Sequence, residues 1–399
     1  MKNKLKNLLN TILFSVLVLL ITSCVQPSNY YPSIDNDSTK QPPYIFNEPK
    51  FITEDIPEIP TTKKYVDVLV MMYMDGDNSL YDEIWADLVE TVSGYTYLND
   101  TDNVEVVILW DGWKPPKNSN KKKSNTWQSN SWNHVSKLFR VGKDYSLIDI
   151  SKNITWLHPN LFFNRDETEV NMNDPRTLEN LLSWANNNYN SKTKILQLSD
   201  HGTGPGEYGT NFYNRAICQD EGNEFVNGCL GTKDVPKSII KSGIGKIDLV
   251  IQDVCLGSTI EEVYEYQGVA DYMLLSPNLT PSYGHDYVNL ISLLSKSKSY
   301  SNGKLDIEKY MNGILEGFIQ SYKKSTYKWD TLANYLKKLN NNEDVSNLEI
   351  SLAPLKYDYL EPLDFGQIAT LTCIKVNEVN KLKKSIDNLV NLFETNKDR

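Results

Sequence analysis

Residues Tyr65 to Met74 form an unbroken apolar run in which Asp67 is the lone charge. Such a run cannot present one wet face and one dry face. It needs cover on both sides, as a strand has in a parallel sheet with helices packed above and below. Four more runs of this kind follow: Val104 to Trp110, Ile195 to Ser199, Ile247 to Gln252 and Asp271 to Ser276. Helical signals lie between them. After the turn Asp75-Gly76-Asp77-Asn78, Ser79 with Asp82 offers a capping box, and Leu80, Ile84, Leu88 and Val92 mark one face. Asp174-Pro175 supplies a cap and a first-turn proline, followed by Leu178, Leu181, Leu182 and Ala185 at helical spacing. A further helix, with Leu256, Ile260, Val263 and Tyr264 on one face, is expected directly after the fourth strand. Strands alternating with helices imply an α/β fold with a mainly parallel central sheet. In such sheets, sites form at the carboxyl ends of the strands.

A chain of 399 residues has room for one large α/β domain or two ordinary ones. With 40% hydrophobic and 23% charged residues, it is neither a disordered chain nor a multi-span membrane protein. A net charge of −10 argues against a nucleic-acid partner. Five cysteines are too few and too scattered for a disulfide framework or a cysteine zinc cluster.

The N-terminus reads as a targeting segment. Lys2, Lys4 and Lys6 precede an apolar stretch from Leu8 to Ile21, and the segment ends in Ile21-Thr22-Ser23-Cys24, which resembles a bacterial lipobox. Residues 1–23 are therefore expected to be a signal peptide, with Cys24 lipidated. Two or three acyl chains on that cysteine would anchor the protein stably in the bacterial cell envelope, facing the extracytoplasmic side. Residues 24–63 carry seven prolines from Pro27 to Pro60 and read as an extended tether. The catalytic domain is then expected over 64–300. Residues 301–399 form a helix-rich C-terminal region of the same domain, with a helical pattern from about Val379 to Phe393 and Cys373 as a buried thiol. Residues 113–131, with Lys121-Lys122-Lys123, read as a solvated surface loop.

Of the four histidines, His134 and His158 sit in surface-type contexts. His201 follows the third strand and precedes a glycine-rich loop, which lets a substrate backbone approach. Cys255 follows the fourth strand, where a helix start would favour the thiolate and leave backbone N–H groups unpaired. A thiolate with a nearby imidazole is the minimal kit for acyl transfer. Spacing alone leaves the bland alternative open: a buried structural cysteine and an incidental loop histidine.

The segments Leu196 to Gly202 (LQLSDHG) and Ile251 to Gly257 (IQDVCLG) resemble the two signature segments of the clostripain family of cysteine peptidases. Val70 to Leu80, Glu169 to Pro175 and Ala270 to Tyr272 fall in the same family order, so the resemblance spans roughly residues 65 to 290. It implies a caspase-like α/β/α sandwich and a Cys–His dyad. Cys255 would be the nucleophile and His201 the general base and acid. The backbone N–H groups of Gly202 and Cys255 would form the oxyanion hole. Asp253, two residues before the nucleophile, would recognise a basic side chain, arginine and then lysine. The family commonly places a second acid after the next strand, where this chain has Tyr283, with Asp286 displaced by three residues.

The family also implies self-cleavage between Arg215 and Ala216, and calcium support in some members. Asp75 and Asp77 offer oxygen ligands, although a turn and helix cap explain them better. The chemistry itself requires no cofactor. Asp200 is assigned to turn capping. Cys218 and Cys229 are spaced so that an oxidising envelope permits a disulfide without requiring one. The resulting expectation is a lipid-anchored cysteine endopeptidase acting on peptide or protein substrates. Its rivals are an inactive peptide-binding relative and a structural envelope lipoprotein.

Overall fold

The computed structural model describes residues 49–78, 80–112, 136–157, 170–202, 216–218, 229–280, 284–321 and 370–396. The chain divides into two units, Met1–Tyr44 and Ile45–Arg399. The first unit, with the signal segment and Cys24, lies outside the described residues, as do Ser79, the 113–131 loop, His134, His158, Arg215 and Tyr283.

The second unit begins with β1 (Lys50–Thr53) and β2 (Lys64–Gly76), then α1 (Tyr81–Tyr95) and β3 (Val104–Gly112). Next come β4 (Lys137–Gly142) and β5 (Ser146–Asp149), α2 (Pro175–Asn188) and β6 (Tyr189–Ser199). A small hairpin, β7 (Ala216–Ile217) and β8 (Leu230–Gly231), precedes α3 (Asp234–Lys241), β9 (Ile247–Asp253), α4 (Ile260–Glu265) and β10 (Ala270–Leu275). Helices α5 (Tyr287–Ser292) and α6 (Lys296–Ser299), hairpin β11 (Tyr300–Ser301) and β12 (Lys304–Leu305), and α7 (residues 307–321) follow. The last elements are β13 (Thr372–Lys375) and α8 (Val379–Asn396).

Among the described residues, nine strands make one sheet in the order β1-β5-β4-β3-β2-β6-β9-β10-β13. The central five, β3 to β10 in that order, are parallel, and β4 and β13 run antiparallel to their inner neighbours. The alternation along β2 shows why its sequence is apolar throughout. Val68, Val70, Met72 and Met74 meet Ile84, Leu88 and Val92 of α1 and Leu290 and Ile291 of α5. Leu69, Met71 and Tyr73 meet Leu178, Leu181, Leu182 and Ala185 of α2 and Val235 and Ile239 of α3. The result is an α/β/α sandwich, as expected. Each buried Leu or Met contributes ~2 kcal/mol relative to an exposed one, so both layers hold the sheet strongly.

Local starts and stops differ in places. Helix α2 begins as the sequence predicts, with the Asp174 carboxylate accepting the Arg176 N–H at 2.9 Å and Pro175 in the first turn. By contrast, α1 begins at Tyr81 with no side-chain cap at Leu80. Asn78 Oδ1 accepts the Leu80 N–H at 2.8 Å, and the expected Ser79–Asp82 capping box lies outside the described residues. Helix α4 starts five residues after Cys255, because Thr259 is its cap and accepts the Glu262 N–H. Four strands of the sheet were not anticipated: β1, β4, β5 and β13. β1 comes from the stretch read as tether and pairs with β5, and β13 closes the other edge against β10. Among the described residues, no helix is long and apolar enough to cross a membrane.

Candidate active site

The carboxyl ends of β2, β6, β9 and β10 converge. Between β6 and β9 the register pairs Ser199 with Asp253, and the Asp200 N–H continues it by donating to the Asp253 carbonyl at 3.3 Å. His201 and Cys255 each follow two residues beyond that pair, at the same edge of the sheet. Gly202 lies directly on the Cys255 backbone. A β-carbon there would stand 2.3 Å from Cys255 O and 2.9 Å from Cys255 N, so only glycine fits. Gly202 also bridges Ile217, which holds the residues after Ala216 beside the histidine loop.

Asp200 fixes this loop from beneath. Its Oδ1 accepts the His201 N–H and also the Asn78 side-chain amide at 2.7 Å, tying the β6 end to the β2 turn. That is the capping role expected of it. His201 itself is half-buried.

The half-buried Cys255 thiol is enclosed by the loop after β10. Its Sγ accepts the Thr280 N–H at 3.2 Å, Thr280 Oγ1 donates to Val254 O at 2.9 Å, and the Leu256 N–H donates to Asn278 O at 2.9 Å. Burial pushes the thiol pKa up, the Thr280 N–H pulls it back, and the Asp253 charge adds to the rise. The expected helix-dipole stabilisation of a thiolate is absent, since Cys255 lies in a turn followed by Leu256 at φ +58° and α4 begins only at Ile260. Burial and the Asp253 charge thus disfavour the thiolate form.

Asp253 faces the α1/α5 layer, with a side chain only 4% exposed. Its Oδ2 accepts the His285 N–H at 2.8 Å and the Tyr287 O–H at 3.0 Å, whereas Oδ1 has no hydrogen-bond partner. Tyr287 O–H belongs to a buried chain that continues through Ser199 and Gln197. On α1, the Asp87 carboxyl is pushed well above its usual range, first by burial and then by the charges of Asp253, Glu90 and Glu83. No Lys or Arg pairs with Asp253 or Asp87 among the described residues. Asp286, the displaced acid, caps α5 by accepting the Asn289 N–H at 2.9 Å.

Asn78, Asp87, Thr280, His285 and Tyr287 escape sequence reasoning. The one signal available was the segment after β10 departing from the family pattern around Gly284-His285.

Asp75 gathers with Asp200 and Cys218, their ligand atoms within 4.8 Å of one another and all three residues buried. Asp77 does not join this group; its N–H donates to Asp75 Oδ1 at 3.2 Å, a turn contact. Two carboxylates and a soft thiol do not fit calcium, which takes six or more hard oxygen ligands. Cys218 is buried and Cys229 half-buried, and burial pushes the Cys229 pKa up, with a contribution from the Asp200 charge. Cys373 is a half-buried thiol on β13, not the fully buried one expected.

Residues 72–399 match the profile of the clostripain family. Clostripain of Hathewaya histolytica is 27% identical over 266 residues, which cover 63% of this chain; the match spans 45% of that relative's length. Among solved structures, a secreted C11 cysteine protease from Bacteroides thetaiotaomicron in complex with an irreversible peptide inhibitor superposes with a TM-score of 0.51. It is 19% identical, and the match covers 79% of this chain and 68% of that one. An inactive zymogen C11 protease from Parabacteroides distasonis gives a TM-score of 0.44 at 19% identity, covering 69% and 66%. The first of these likenesses supports the caspase-like fold, and the profile match extends over most of the chain. The chain belongs to the clostripain family.

Proposed function

We propose that the protein is a lipid-anchored, extracytoplasmic cysteine endopeptidase that cleaves after basic residues. The observation that supports this is the β6–β9 register, which ends both strands at the Ser199–Asp253 pair, two residues before His201 and Cys255, with Gly202 packed on the Cys255 backbone. Cys255 Sγ attacks the scissile carbonyl carbon while His201 removes the thiol proton. The tetrahedral oxyanion is held by the N–H groups of Gly202 and Cys255, one such donor being worth ~3 kcal/mol. As the C–N bond breaks, His201 returns the proton to the leaving amine, and a water that it activates then hydrolyses the thioester. General-base activation, not a resting ion pair, suits a thiol whose pKa is raised by burial.

Asp253 supplies the preference for a cation. A buried carboxylate oxygen without a hydrogen bond is costly, and a guanidinium or ammonium from substrate relieves that cost. Processing between Arg215 and Ala216 is supported by the Gly202–Ile217 bridge, which keeps that part of the chain beside the catalytic loop.

The test is labelling of membrane fractions with an arginyl chloromethyl ketone, followed by peptide mapping. One adduct, on Cys255, is expected in a protein that partitions into detergent, and Cys24→Ser should move the labelled protein to the aqueous phase. An adduct elsewhere, or none on folded protein, overturns the catalytic reading. Continued detergent partition of Cys24→Ser overturns the anchor.

A further inference from the structure

His285 is a buried titratable group that the dyad leaves without a task. Its side chain is 1% exposed, and among the described residues neither ring nitrogen has a hydrogen-bond partner. The ring stacks with Tyr287 of α5 at 6.4 Å and meets Phe318 of α7 edge-on at 6.0 Å. Its Nε2 stands 3.7 Å from Asp253 Oδ1, the same oxygen that lacks a hydrogen bond. The groups facing this place are Asp253 from β9, Tyr287 from α5, and Asp87 and Glu90 from α1, with Glu90 accepting the Tyr287 N–H at 3.2 Å. Helix α7 contributes Phe318, which carries no charge. The surroundings are acidic or neutral, and burial holds the His285 pKa below the usual imidazole range while the Asp253 charge opposes the shift.

We propose that His285 is a specificity-determining residue: its neutral imidazole and Asp253 Oδ1 form a pair of acceptors for the guanidinium of a substrate's basic residue. His285 thereby takes the place of the second acid that this chain lacks at Tyr283. This rests on the peptidase reading above. Tyr287 and the His285 N–H occupy Oδ2, so Oδ1 is the oxygen left for substrate. A guanidinium presents several N–H donors in a rigid fork and reaches two neighbouring acceptors, whereas an ammonium is a compact point charge. The pair therefore favours arginine over lysine. Because Gly284, at φ +57°, packs against Oδ2, a side chain reaches Oδ1 only as this turn shifts outward. Protonation of His285 reverses the preference: an imidazolium donates to Oδ1 and repels the incoming cation.

The experiment compares kcat/KM on matched peptides with Arg, Lys or norleucine before the scissile bond, from pH 5 to 8. Wild type should lose roughly tenfold or more of its Arg:norleucine ratio as pH falls through the His285 pKa, below the ordinary ~6.5. His285→Gln keeps an acceptor without the titration. Its ratio at pH 7 should stay within roughly threefold of wild type and become flat with pH. His285→Phe keeps the ring but removes the acceptor, and its ratio should fall roughly tenfold to hundredfold. An unchanged ratio in both variants, or a persisting pH dependence of the ratio in His285→Gln, overturns the role of His285. If His285→Phe does not fold, the His285→Gln pH profile decides. A wild type without any Arg preference at pH 7 overturns the basic-specificity reading itself, and with it this inference, while hydrolysis of the norleucine peptide shows that the dyad reading stands.

Discussion

Gly202 is the position at which a single methyl group does most harm. The added carbon of Gly202→Ala would lie 2.3 Å from Cys255 O and 2.8 Å from Val254 Cβ, and neither is the end of a flexible side chain. The loop must retreat, carrying His201 with it. A displacement of about an ångström at a reacting centre costs ~100-fold in rate, whereas the overpacking itself costs only ~1–3 kcal/mol of stability. Gly202→Ala should therefore lose kcat/KM by that order while still unfolding cooperatively in urea; activity within threefold of wild type would contradict the placement of this loop. His201, Cys255 and Gly202 were legible because apolar runs mark where β6 and β9 end. Thr280, His285 and Tyr287 were not, because they reach Cys255 and Asp253 across 25 to 34 residues, through a loop with no periodicity. The thiolate expectation failed for a local reason: Thr259, not Cys255, begins the helix.

At the scale of elements, α4 is tied to β9 beneath the nucleophile turn by a buried polar cluster. Gln252 donates to Glu262 Oε1 at 3.1 Å and to Tyr266 O–H at 2.8 Å. Burial pushes the Glu262 carboxyl up to about 7, against lowering hydrogen bonds from Gln252, Thr232 and Tyr266. The folded value exceeds the unfolded one, ~4.3, so between the two the folded state binds more protons. Its stabilising share is complete below the unfolded pKa and is lost as pH rises to about 7. Glu262→Gln keeps the acceptor for Gln252 but cannot ionise. It should match wild type in urea unfolding at pH 4 and exceed it by up to ~3 kcal/mol at pH 8. An equal difference at both pH values would show that folding does not shift the Glu262 pKa. The five central parallel strands were readable because burial on both faces removes all polar alternation. The outer strands were not: β1, β4, β5 and β13 are four to six residues long, and Lys137, Arg140 and Lys375 among them carry charge as edge strands do.

For the whole molecule, β6 and β9, the strands that lead into His201 and Cys255, are adjacent and parallel, and residues 370–396 return to the same sheet through β13. What was legible at this scale is the architecture, because alternating buried strands and helices admit few other packings. The closing edge was not, since antiparallel pairing over four residues leaves little trace in a sequence. The central claim is that hydrolysis runs through Cys255 and His201. It is tested most directly by turnover of an arginyl fluorogenic peptide by Cys255→Ala and His201→Ala, each first shown to unfold as cooperatively as wild type. Both variants should fall by roughly a thousandfold or more, to background. Turnover by either folded variant within about tenfold of wild type would contradict the account.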